Sequence, residues 1–414
     1  MLCSFFDPIF KTNIERNQSM TNHSLTKKVR RPSAQHPLHS DREGILSALI
    51  SFLRQNTVFC IALAAAGITS VLVPPDAEYL SYFDFKTLTC LFCVLAVVCA
   101  LRNIRFFTCL ARGIVKRFSS LRSASVALIV ITFVGSMLIA NDMALLTFLP
   151  LGYLVLTETH KERHMAFVFI MQNIAANLGG MLTPFGNPQN LYLYSFYNIP
   201  TAEFTAIMAM PFLAAVAMIL LSCLVLPREP LSLTYRDEIH LPANRTAGYL
   251  VLFALSIVIV FRFIPYWIGL IVIPAVLFFA DRDALKKVDY PLLGTFCAFF
   301  VFAGNMSRIP AVRALFEGLL EKNTLLFSAL SCQVISNVPS AILLSQFTDN
   351  YRELLWGVNI GGAGTLIASL ASLITFREYV KHNPGKTGRY LGLFTLINVI
   401  FLVTLLLFCY FVCQ

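Results

Sequence analysis

Of the chain's 414 residues, 57% are hydrophobic and 13% are charged, against roughly half and a quarter in ordinary globular domains. A net charge of +10 on a soluble protein would suggest nucleic acid. Here the basic residues cluster in short loops beside apolar runs, where they orient spans in a bilayer, so no nucleic-acid partner is expected. The apolar runs recur from Thr57 to Cys413 at close to the ~20 residues a helix needs to cross hydrocarbon. The fold class is all-α polytopic membrane protein.

In chain order, residues 1–43 are polar and hold Lys27, Lys28, Arg30 and Arg31 without a following signal-peptide core. They read as a disordered cytoplasmic tail, with Gly44–Leu53 lying on the membrane surface. A first transmembrane repeat covers 44–226. Its first two spans are Thr57–Pro74 and Lys86–Leu101. The loop between them carries Asp76, Glu78 and Asp84, and the second span is followed by Arg102, Arg105, Arg112, Lys116, Arg117 and Arg122. That asymmetry puts residues 75–85 outside and 102–122 inside, with 103–119 as an interfacial amphipathic helix. Ser123–Thr157 has one charge, Asp142, beside a polar break at Ala140-Asn141-Asp142-Met143, and fits two spans or one re-entrant hairpin. A broken span at 165–195 and another span at Phe204–Leu226 complete the first half.

Residues 227–262 form a linker and a bridging span. The second repeat, 263–414, holds spans at 265–280 and 290–304 and a surface segment at 306–322. It continues with an apolar pair broken at Ser336-Asn337-Val338-Pro339, a broken span at 355–376 and a last span at 390–411. Arg377, Lys381, Lys386 and Arg389 place the last loop inside and the C-terminus near Gln414 outside. Arg308, Arg313 and Lys322 fit an exterior loop imperfectly. Most of the cysteines lie inside spans as small hydrophobes, and Cys90-x-x-Cys93 lacks a second pair or a nearby His, so no metal or cofactor is expected. His160 and His164, flanking Glu162, read as a solvated loop cluster. Pro384-Gly385-Lys386-Thr387 lacks the first Gly of a phosphate loop, because position 380 is Val380. No hydrolase motif appears, and the chain does not read as an enzyme.

Residues 176–190, ANLGGMLTPFGNPQN, match residues 358–372, VNIGGAGTLIASLAS, without a gap. Asn177 aligns with Asn359, Gly179-Gly180 with Gly361-Gly362, and Thr183 with Thr365. Such half-chain repeats point to secondary transporters whose sites lie where discontinuous helices meet. Loop charges make the two halves inverted: an inverted repeat with two re-entrant hairpins and two broken transmembrane helices. Backbone that leaves a helix at membrane depth is tolerated only beside a cavity or a polar partner. The glycine pairs allow close approach, and Asn187-Pro188 reads as an N-cap followed by Pro at the first helical position. Helix N-termini suit anions, while loop carbonyls and Asn oxygens suit a small cation. The candidate substrate and ion site therefore comprises Asn141, Asp142, Asn177, Gly179, Gly180, Thr183, Gly186, Asn187, Asn190, Ser336, Asn337, Asn359, Gly361, Gly362, Thr365 and Ser369. Asn141 and Asn337 are expected to approach each other, each beside the Gly-Gly break of its own half. A mid-span carboxylate costs ~2.5–3.5 kcal/mol on insertion scales, so Asp142 is assigned the coupling role.

These motifs, together with SNVPSAILL from Ser336 to Leu344, resemble the ion transporter superfamily over roughly residues 57–411. That group includes citrate-transporter-like proteins, divalent anion:sodium symporters, arsenical pumps and a class of sodium/proton antiporters. The symporters carry Ser-Asn-Thr at both tips; this chain has Ser336-Asn337-Val338 and Ala140-Asn141-Asp142. The Asn141-Asp142 pair is more similar to the arsenical-pump and citrate-like branches. The resemblance implies scaffold and transport parts, an elevator-like movement and a homodimer. The functional expectation is an ion-coupled secondary transporter of a small anion, a carboxylate or oxyanion, driven by H+ or Na+ in the plasma or inner membrane. The alternatives are a sodium/proton antiporter, an arsenite-like efflux permease, an anion channel or a membrane enzyme.

Overall fold

A computed structural model describes residues 56–231 and 240–413. The tail expected at 1–43, the surface segment Gly44–Leu53 and residue Gln414 lie outside the described residues. Every regular element described is helical, and seven helices are long and apolar enough to span a bilayer. The protein is an all-α polytopic membrane protein.

The first half contains α1 (Thr57–Leu72), α2 (Phe85–Asn103), the short amphipathic α3 (Phe106–Val115), α4 (Leu121–Ile139), α5 (Asn141–Glu158), α6 (Met165–Gly179), α7 (Pro188–Phe196) and α8 (Thr201–Cys223). Then come α9 (Ala243–Val260), α10 (Tyr266–Ala280), α11 (Arg282–Lys286), α12 (Tyr290–Ser307), α13 (Pro310–Ile335), α14 (Asn337–Leu344), α15 (Tyr351–Ile360), α16 (Leu370–His382) and α17 (Thr387–Val412). Local sequence sets many of the starts. Asp84 accepts from Thr87 N at 3.0 Å, Ser120 from Ser123 N at 3.3 Å and Asp289 from Leu292 N at 2.9 Å, each satisfying a donor that the first turn leaves open. The separate surface segment expected at 306–322 is found as the first part of α13, mostly exposed and ended by a break at residue 323. That helix kinks at Asn323 (φ −168°, ψ 92°), whose Oδ1 accepts from Leu326 N at 2.7 Å and restarts it.

Polar contacts sort the loops into two ends. At one end Arg308 pairs with Asp76 at 2.7 Å and with Glu78 at 3.6 Å. The basic residue that fitted an exterior loop poorly is thus matched by the acids of loop 75–85. Arg262 reaches Ile199 O at 3.2 Å, and Tyr197 Oη donates to Thr348 O at 2.6 Å. At the other end Asn103 donates to Asp281 at 3.0 Å, Glu229 pairs with Lys161 and Arg163, and His382 stacks on Tyr153.

The packing pairs of one half recur in the other. α1 packs on α12 and α2 on α10; α4 lies against α6 as α13 lies against α15. α16 packs on α5 and α6, and α7 reciprocally on α14 and α15. α2 and α6 are almost wholly buried, and they make the core. By contrast α8, α10 and α17 turn Leu221, Phe279, Leu396 and Phe411 outward, as lipid-facing helices must.

Candidate functional site

Two helix pairs turn back inside the fold. Ser120 bridges Pro230, and Lys161 pairs with Glu229, so α4 and α5 leave and return at the same end. α13 and α14 do likewise from the opposite end, where Leu325 N donates to Glu353 Oε2 at 3.0 Å and Tyr197 holds Ser345 O at 3.2 Å. Both tips turn on a strained residue: Ala140 at φ 66°, ψ 152° and Ser336 at φ 75°, ψ 160°. This region is essentially glycine's, and holding another residue there costs about 1–3 kcal/mol. Neighbouring groups brace both tips in the same way. Thr183 Oγ1 donates to Met137 O at 2.8 Å and Thr365 Oγ1 to Gln333 O at 3.3 Å, the carbonyl three residues before each strained position. Immediately past each tip the Asn side chain folds onto the backbone, Asn141 Oδ1 accepting from Asp142 N at 3.0 Å and Asn337 Oδ1 from Val338 N at 2.9 Å.

The broken helices meet these tips. α6 ends at Gly179, tightens through Gly180–Leu182 and restarts as α7 at Pro188; α15 ends at Ile360 and restarts as α16 at Leu370. A Cβ on Gly179 would lie 2.3 Å from Phe133 O, so only glycine lets α6 lie this close to α4. A Cβ on Gly362 would lie 3.0 Å from Asn337 Nδ2, so Asn337 does sit beside the Gly-Gly break of its own half. Asn141 reaches its own break one turn earlier, donating to Asn177 Oδ1 at 3.2 Å.

Asn177 and Asn359 tie the halves together. Asn177 Oδ1 also accepts from Ser369 Oγ of the other half at 2.8 Å, while Asn359 Oδ1 accepts from Asn187 Nδ2 at 3.3 Å and Asn359 Nδ2 donates to Asn190 Oδ1 at 2.6 Å. The cap expected at Asn187 does not form. Its backbone is extended and Pro188 stands at the helix start, but its Nδ2 donates to Asn177 O and Asn359 Oδ1 while its Oδ1, the oxygen that would cap α7, has no partner among the described residues. The aligned Ser369 does cap, accepting from Ala371 N at 3.2 Å.

Between the tips lies a cavity of about 20 Å³ lined by Asn141, Asp142, Ser336, Asn337 and Ser369 of the expected set. That volume is enough for about one water or a bare ion, and an organic carboxylate fits only after the tips separate. The other expected residues frame this cavity without lining it. Asn177, Asn187 and Asn359 join the halves. Asn190 holds Gly180 O and Met181 O at 3.2 Å each, Gly186 packs on Gly180 O, Gly361 on Gly357 O, and Thr183 and Thr365 brace the tips. Sequence reasoning missed Gln189, Pro188, Val338, Pro339 and Leu370 in the wall, as well as Val58 of α1 and Leu292 and Thr295 of α12. Gln189 was findable inside Asn187-Pro188-Gln189-Asn190. Val58, Leu292 and Thr295 stand in ordinary apolar spans with nothing local to mark them.

Four helices begin at this cavity: α5 at Asn141, α7 at Pro188, α14 at Asn337 and α16 at Leu370. Each start carries up to about half a positive charge from its backbone dipoles. Against them stand Asp142 Oδ1 and Gln189 Oε1, both buried without a hydrogen-bond partner among the described residues.

The citrate transporter family model matches residues 45–351. A protein of Methanocaldococcus jannaschii named as an uncharacterized transporter is 32% identical over 336 residues, covering 79% of this chain and 90% of that protein. The inner membrane protein YbiR of Escherichia coli is 31% identical over 281 residues, covering 66% of this chain and 74% of its own length.

Proposed function

The chain belongs to the citrate transporter family, and within it we propose an ion-coupled secondary transporter of a small anion, a carboxylate or an oxyanion. The convergence of four helix starts on one cavity between two hairpin tips carries this reading. The positive ends of four helix dipoles favour an anion there, at a depth where bulk water does not screen them.

Asp142 supplies the coupling. It belongs to the first turn of α5, so its carboxylate competes with the anionic substrate for the same helix starts. A proton, or a sodium ion held by Asp142 Oδ1 and Gln189 Oε1, cancels that competition. Substrate and cation therefore raise each other's affinity by the same factor. The reciprocal packing of the halves supports an inverted repeat with two re-entrant hairpins. Movement of α4–α8 and α13–α17 past α1, α2, α10 and α12 would carry the closed cavity across the bilayer in the manner of an elevator. Loop charge supports a cytoplasmic side for the start of α1 and for the loops at 102–122 and 377–389; the chain would work in a plasma or inner membrane, and as a homodimer in line with the family resemblance.

The deciding experiment is uptake of labelled citrate, dicarboxylates, phosphate, sulfate and arsenite into proteoliposomes, with proton and sodium gradients imposed separately. Gradient-driven accumulation of an anion is expected, and its loss in Asn141→Ala and Asn337→Ala while both proteins still fold. Normal transport by both variants refutes the site. The unpartnered Asp142 oxygen favours sodium/proton antiport as the second reading, which the same vesicles would reveal as sodium-driven pH change without any anion.

A further inference from the structure

A second polar chamber lies away from the hairpin tips. It has a volume of about 250 Å³ and sits between the end of α2, the amphipathic α3 and the outer face of α5. Its wall on α5 begins at Leu146, one helical turn beyond Asp142, and continues through Thr147, Pro150 and Leu151. Opposite stand Arg102, Thr108 and Arg112. Among the described residues no acidic side chain lines it. A cleft with one sign of charge and apolar walls concentrates ions of the opposite sign. Arg102 has capacity to spare: a guanidinium offers five donors, and the acceptor it reaches among the described residues is the Met143 thioether, 3.7 Å from Nη1. Thioether sulfur is a weak acceptor. Met143 is also the residue after Asp142, so the arginine stands over the first turn of the hairpin arm that carries the coupling carboxylate.

We propose that this chamber is an inner anion-binding vestibule, which takes a small carboxylate or oxyanion at Arg102, Arg112 and Thr108 beside the first hairpin. It is an order of magnitude larger than the cavity between the tips, so it accommodates an anion in the closed arrangement that the central cavity excludes. Its place as the inner vestibule rests on the transport reading; its capacity to bind an anion does not. The same chemistry admits two sources, a free anion or the phosphate of an anionic lipid headgroup.

The test separates the vestibule from the central cavity. Citrate and inorganic phosphate are titrated onto the purified full chain carrying Asn141→Ala and Asn337→Ala, with binding followed calorimetrically in lipid-free neutral detergent. Binding is expected to persist in that background. Adding Arg102→Gln should weaken it about tenfold or more, the loss of a charge-assisted hydrogen bond; Thr108→Val, a milder change, should weaken it less. Absence of citrate and phosphate binding in the background protein overturns the vestibule, as does binding that neither Arg102→Gln nor Thr108→Val alters. Repeating the titration with nanodiscs of phosphatidylglycerol or of phosphatidylcholine identifies the source. Competition by phosphatidylglycerol alone assigns the chamber to a lipid phosphate, and equal binding in both assigns it to the free anion. Failure of the transport reading shows separately, as absence of gradient-driven anion uptake by the wild-type chain in proteoliposomes.

Discussion

From its broken helix, Asn177 hydrogen-bonds both the first hairpin and the opposite half, so replacing it by Ala is the sharpest test of the site's construction. The substitution removes the oxygen that accepts from Asn141 Nδ2 at 3.2 Å and from Ser369 Oγ at 2.8 Å. Interhelical hydrogen bonds in membrane proteins average about 0.6 kcal/mol and reach about 1.7, so losing two costs about 1–3 kcal/mol. Ser369→Ala loses one of these bonds and also the cap on Ala371 N, a cap being worth about 1 kcal/mol. Asn177 Nδ2 also donates to Asn173 O at 3.2 Å, so Asn177→Asp, which buries an acceptor against that carbonyl, should destabilise at least as much as the alanine. The assay is denaturant-induced unfolding of the four proteins of the Asn177→Ala/Ser369→Ala cycle, paired with uptake in proteoliposomes. A coupling energy of about 0.6–1.7 kcal/mol is expected, with uptake nearly abolished in Asn177→Ala. Strict additivity within about 0.3 kcal/mol, together with wild-type uptake, would refute the idea that this oxygen holds the two halves in register.

Further expectations follow from other parts of the molecule. Ala140→Gly and Ser336→Gly release backbone strain of about 1–3 kcal/mol, offset in part by glycine's larger unfolded entropy of about 0.5–1 kcal/mol; each should melt at or above the wild-type temperature, and Ala140→Val well below it. Asp142→Asn imitates the protonated side chain, so it should bind the anion but lose the pH dependence of uptake; a variant with the full wild-type pH profile removes Asp142 from coupling. Glu229 is held below its ordinary carboxyl range, with a lowered pKa, first by its hydrogen bond from Lys161 and also by Arg163. A depressed carboxyl contributes stability above its unfolded value of 4.5 and loses it as pH falls through the lower folded value. Melting temperature should therefore decline below about pH 4.5 in the wild type and decline less steeply in Glu229→Gln. A substitution with the wild-type slope would show that these contacts do not form in solution. Gly179→Ala places a Cβ 2.3 Å from Phe133 O and should destabilise by about 1–3 kcal/mol through overpacking, whereas Gly248→Ala, with nothing within 4 Å, should be neutral or stabilising on the same unfolding curve.

Much of the architecture was legible because a bilayer leaves so few options. Apolar length and loop charge located the spans, since hydrocarbon satisfies no backbone polar group and basic loops resist translocation. The duplicated Asn-x-Gly-Gly stretch marked both helix breaks, because only small residues and polar side chains tolerate unwound backbone at that depth. What the linear pattern lacked was the partner of each group. Nothing local distinguishes Thr183 and Thr365, which brace the tips, from Ser369, which faces the cavity. Asn187 has the residue type and the following Pro of a helix cap, yet its Nδ2 donates to Asn177 O and Asn359 Oδ1 and its Oδ1 does not cap. Val58 and Thr295 enter the cavity wall only because α1 and α12 pack together against the tips. Arg308 sat awkwardly in an exterior loop until Asp76 and Glu78, remote in sequence, arrived beside it. Periodicity and charge are properties of a segment and can be read along the chain. Which oxygen meets which donor depends on how segments from the two halves interlock, and tertiary packing alone decides that.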